Sequence, residues 1–88
     1  MSVKRDNRHT VTIHAATTQL IVLTGQRPRV IDEPGAVRIE ADVTEDLLTR
    51  HWPRLHAVLD LGVAFGLRTT ATGHTAWLRL DRGEKTRP

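Results

Sequence analysis

The most constraining feature of this chain is a strict alternation in its middle. Val37, Ile39, Ala41 and Val43 interleave with Arg38, Glu40 and Asp42. A period of two with one dry and one wet face defines a half-buried β-strand, and such a strand needs a strand to pair with and cover on one face. Thr44 follows at once and has the chemistry of a helix N-cap. Glu45 and Asp46 come next, where acidic side chains complement the helix dipole. The predicted helix runs to about Leu61, with Gly62 as its stop and a kink at Pro53. Two short helices meeting at Trp52-Pro53 are the alternative.

The remaining segments are read the same way. Arg29–Asp32 is a short strand, and Glu33-Pro34-Gly35 is a tight turn into the central strand. After the helix, Val63, Phe65, Leu67 and Thr69 alternate. A turn at Thr72-Gly73-His74 leads to a last strand with Ala76, Leu78 and Leu80 inward and Trp77, Arg79 and Asp81 outward. Upstream, Val11, Ile13 and Ala15 alternate with Thr10, Thr12 and His14, and Gln19–Thr24 is rich in β-formers, so two further strands are expected there. The predicted order is ββββαββ: an α+β fold of two layers, with a mainly antiparallel sheet and the helix on one face. All 88 residues form one domain, with 1–8 and 83–88 as flexible tails.

Composition narrows the chemistry. Cysteine is absent, which excludes disulfides, thiolate zinc sites and a cysteine nucleophile. Serine occurs only at Ser2, tyrosine is absent, and no glycine-rich phosphate loop joins a strand to a helix. The pairs His9/His14 and His51/His56 are each five apart, off the three- or four-residue spacing that metal ligands on one helix require. Asp42, Glu45 and Asp46 form a carboxylate cluster explained by a wet strand face and a helix start. No catalytic residue, metal or cofactor is expected. The longest aliphatic run, Leu20–Leu23, is too short for a membrane span or a secretory core, so a soluble, cytoplasmic protein is expected.

Two surfaces are candidates for partner binding. On a continuous helix, Leu48, Trp52, Leu55 and Leu59 make the core stripe. Leu47, Val58 and Leu61 make a second stripe bordered by Arg50 and Arg54, in the manner of an interface centre and rim. The second surface is the sheet face away from the helix, carrying His14, Arg38, Glu40, Asp42, Arg68, Trp77, Arg79 and Asp81. Three readings of Trp77 stand: a side chain shielded by neighbours, a hot spot for a protein partner, or a stacking platform for a nucleic-acid base. The function expected is a small non-enzymatic protein acting through protein–protein interaction, as a homodimer or a regulatory subunit. Nucleic-acid binding through the basic terminal segments and the Trp77 face is the alternative.

Overall fold

The computed structural model describes residues 3–81, with side chains described from residue 11 onward. The elements in chain order are α1 (Val3–Thr24), β1 (Arg29–Glu33), β2 (Ala36–Val43), α2 (Glu45–Arg50), α3 (Trp52–Leu59), β3 (Ala64–Thr70) and β4 (Gly73–Asp81). The four strands form one antiparallel sheet in the order β1-β2-β4-β3. The helices pack against it, so the α+β class and the antiparallel sheet are as expected. Of the expected tails, 1–2 and 83–88 lie outside the described residues, and 3–8 belong to α1.

One part of the expected order is corrected. The two strands placed in residues 10–24 are a single helix, so the order is αββααββ. Nine of the fifteen residues 10–24 are threonine, valine or isoleucine, types that favour strands when judged by propensity alone. Burial follows the helical period instead. Ala16 and Leu20 are buried, and Ile13, Thr17, Leu23 and Thr24 are half-buried beside them. Spacings of three and four put all six on one side of a helix. Packing of that stripe overrides the local preference.

The core lies between this stripe and the dry face of the sheet. Val37, Ile39, Ala41 and Val43 stand on β2, with Ala76, Leu78 and Leu80 on β4. Leu47, Leu55, Val58 and Leu59 close it from the helices. Register holds the two central strands face to face: Val37 pairs with Leu80, Ile39 with Leu78 and Ala41 with Ala76. The β1–β2 turn is Pro34-Gly35, and Gly35 adopts φ +73°, a conformation that costs a residue without a β-carbon nothing.

The segment expected as one Pro-kinked helix is two helices. Thr44 caps α2 as anticipated, its Oγ1 accepting the Leu47 N–H at 3.1 Å. His51, at φ −124° and ψ 23°, ends α2 and precedes α3. Pro53 therefore sits in the first turn of α3, where its missing N–H leaves no intrahelical bond unmade. This break resets the helical phase between Leu48 and Leu55, with consequences for both predicted stripes.

Candidate protein-interaction site

The structure divides the nominated residues differently from the continuous-helix wheel. Leu47 and Val58 face the core at 6% and 5% exposure, so the proposed Leu47/Val58/Leu61 stripe is not a surface. Leu61 alone of the three is exposed. Arg50 and Arg54 are also exposed, and Arg50 pairs with Asp46 one turn back at 3.1 Å. Trp52, assigned to the core, is 38% exposed. The break at His51 makes Trp52 the first residue of α3, at the open end of the Leu55/Leu59 side, where its ring lies against His56. His14 stands on α1 and not on the sheet.

The sheet face away from the core carries the other nominated residues. Cross-strand register sets Arg29, Glu40, Trp77 and Gly66 in one row, with Arg38 beside Arg79 and Arg68 beside Thr75 in the flanking rows. Glu40 is the buried centre of this face. Arg38 Nε lies 3.4 Å from its Oε2, and Arg29 and Arg68 guanidinium nitrogens lie 3.7 Å from its Oε1. Three cations around one buried carboxylate offset the cost of removing it from water. Arg38 Nε is itself buried, 3.4 Å from both Glu33 and Glu40, and makes no hydrogen bond to either. Asp42 accepts from Arg29 at 3.2 Å and from the Thr75 hydroxyl at 3.4 Å. The hydrogen bond from Arg29, then its charge, holds the Asp42 carboxyl below its ordinary range.

Trp77 lies within this network and over the β3 backbone. A β-carbon placed on Gly66 would stand 2.8 Å from its Cζ2 and Nε1, so the ring fills the space a side chain would otherwise occupy. The Arg38 guanidinium carbon sits 6.0 Å from the ring centroid. Strand neighbours thus half-bury the tryptophan. Arg29, Arg38 and Arg68 all lie within 3.7 Å of carboxylate oxygens, so the face is a mixed-charge network and not a uniform phosphate-binding field.

The apolar surface that periodicity did not reveal is at the margin of the sheet. β3 is an edge strand, and five of its seven residues are exposed. On its dry face, Phe65 is 37% and Leu67 43% exposed, since α3 covers only part of it. Phe65 meets His56 edge-on at 5.3 Å between centroids, and His56 meets Trp52 at 5.5 Å. Trp52, His56, Phe65 and Leu67 therefore form one continuous, largely apolar margin. The exposed large apolar residues of α1, Val11, Ile21 and Val22, include no aromatic ring, and Val11 is ten residues from the nearer of the other two.

One hydrogen-bonded chain has the connectivity of a nucleophile, a base and an orienting acid. Thr69 Oγ1 lies 3.0 Å from His74 Nδ1, and His74 Nε2 lies 3.3 Å from Glu45 Oε1. Thr69 and His74 are also direct cross-strand neighbours in the β3–β4 hairpin, and Glu45 is 80% exposed. Cross-strand pairing accounts for the chain as a tie between the hairpin and α2. A shallow cavity of about 270 Å³ lies beside it, lined by Thr70, Thr72 and Thr75 together with Asp42, Val43, Gly73 and His74. Among the described residues, no group of three or more His, Asp or Glu side chains is placed to hold a metal ion. No helix among them is long and apolar enough to cross a membrane. No protein family, curated protein or solved structure matches the chain.

Proposed function

We propose that this is a non-enzymatic protein-interaction module that binds through the β3–α3 margin. The observation that carries the reading is the run of Trp52, His56, Phe65 and Leu67 along an unpaired strand edge. Aromatic side chains beside an open edge supply the two ingredients of strand-based recognition, backbone hydrogen bonds and apolar pockets. The neighbouring face supplies a polar rim, with Arg68 on β3 itself and Trp77 and Arg79 beside it on β4. Pairing of Arg29, Arg38 and Arg68 with carboxylates disfavours the alternative, a nucleic-acid surface.

The test compares the full chain with a Trp52→Ser/Phe65→Ser double variant. Both positions are more than a third exposed, so the variant should fold. The readouts are sedimentation of the pure proteins and capture of proteins from a lysate, with and without nuclease. Self-association or capture that resists nuclease and is lost in the variant supports the reading. Identical behaviour of the two chains, or binding abolished by nuclease, contradicts it.

A further inference from the structure

The two edges of this sheet are unequally protected. β1 carries Arg29, Asp32 and Glu33 among five residues, with Pro28 before it and Pro34 after it. Charges and prolines are the devices that stop an edge from recruiting another strand. β3 is longer, at seven residues, and has neither proline nor acid; Arg68 is its one charged side chain. Among the described residues, its outer edge meets no other strand. The edge left without protection is also the edge that carries exposed Phe65 and Leu67.

We infer that β3 pairs antiparallel with β3 of a second copy, about a two-fold axis at Leu67, joining two sheets into one of eight strands. This rests on the β3–α3 margin being the binding surface, and it names the occupant. Two arguments select the arrangement. A two-fold axis perpendicular to a continuous sheet keeps both dry faces on one side, so paired residues must share parity. Among such registers, the axis at Leu67 pairs Ala64 with Thr70, Phe65 with Thr69, Gly66 with Arg68 and Leu67 with itself, using all seven residues. An axis at Arg68 would set two guanidinium groups opposite each other, an unfavourable pair.

Charge complementarity then favours a second copy over an unrelated strand. In the Leu67 register, Arg68 of each chain stands across from Gly66 of the other. Trp77 fills the space over Gly66, and Glu40 adjoins Trp77 in the same row. Each Arg68, 3.7 Å from Glu40 of its own chain, therefore also meets the row of the other chain that holds Trp77 and Glu40, so each guanidinium stands between two carboxylate-bearing rows. On the dry face, Leu67 meets Leu67, with Phe65 and Trp52 continuing the apolar seam on both sides.

Because the chain has no cysteine, single substitutions can read the register directly. Directly paired antiparallel residues have Cα atoms about 4.5 or 5.5 Å apart, within disulfide range. Sedimentation of the wild-type chain should show its mass doubling as concentration rises, and Leu67→Lys should abolish the increase. On mild oxidation, Leu67→Cys should form a cross-linked dimer. Phe65→Cys and Thr69→Cys should each fail to do so alone but cross-link when mixed, a second route should Leu67→Cys fold poorly. A wild-type chain that stays monomeric at high concentration overturns the inference, and so does a dimer that cross-links at other positions. Monomeric chain that still captures a protein through Trp52 and Phe65 refutes self-pairing while leaving the binding surface in place.

Discussion

Gly66→Ala has an outcome whose sign depends on where Trp77 lies. A new β-carbon would stand 2.8 Å from two ring atoms and 2.9 Å from a third. Favourable carbon contacts begin near about 3.5 Å, so the ring must retreat by roughly 0.7 Å or swing off the strand. Displacing a packed side chain in this way costs about 1–3 kcal/mol. Against that, alanine in mid-strand recovers about 0.5–1 kcal/mol of backbone entropy relative to glycine. The net expectation is a loss of about 1 kcal/mol. In a Trp77→Leu background the ring is absent, and the same substitution should stabilise by about 0.5–1 kcal/mol. Urea unfolding of the four proteins, followed by circular dichroism at one low protein concentration, closes a double-mutant cycle with a coupling of about 1–3 kcal/mol. Equal stabilisation by Gly66→Ala in both backgrounds would refute the placement of Trp77 over β3.

Three further outcomes follow from the core and its margins. Trp52→Ala should cost about 1 kcal/mol or less, since the ring is 38% exposed, whereas Leu55→Ala, fully buried, should cost about 2–5 kcal/mol in the same urea assay. Thr44→Ala removes the acceptor for the Leu47 N–H and should cost about 1 kcal/mol, measured as a shift of the unfolding midpoint. Asp42 has a depressed native pKa, so its contribution is present above about pH 4 and is lost as pH falls through the native value. Arg29 and Asp42 are both more than half exposed, so this contribution is small and salt-sensitive. Asp42→Asn or high salt should flatten that part of the acid limb of a stability-against-pH curve.

The strands after residue 28 were legible because each obeys a period of two and is bounded by recognisable turns: Pro34-Gly35 before β2, Gly73 after the β3–β4 turn. The Thr44 cap was legible from side-chain chemistry alone. α1 was misread because its β-branched composition and a short run of alternation from Thr10 to Ala15 both mimic a strand. The contrary signal was present in Ile13, Ala16, Thr17, Leu20, Leu23 and Thr24, whose spacing is helical throughout. The Leu47/Val58 stripe was misplaced because a wheel drawn through residues 45–61 assumes one unbroken helix, and His51 breaks it; Trp52 was assigned to the core because a wheel gives the side a residue lies on and not where the helix begins, and α3 begins at Trp52. Trp77 was placed on the correct face by parity, and the β2–β4 and β3–β4 registers bear that out. That Phe65 and Leu67 lie at an edge could not be read from periodicity, since strand order is set by long-range pairing. The contrast in charge and proline between β1 and β3 was the available clue.

Amide hydrogen exchange measured at low and high protein concentration tests the central claim most directly. At low concentration, the N–H groups of β3 that point away from β4 should exchange rapidly, as unpaired edge groups do. Raising the concentration should slow exchange within 64–70 and leave β1, at 29–33, unchanged. Concentration-independent exchange throughout β3, or protection that develops at β1 or along α1 instead, would contradict the assignment of the β3 edge as the binding surface.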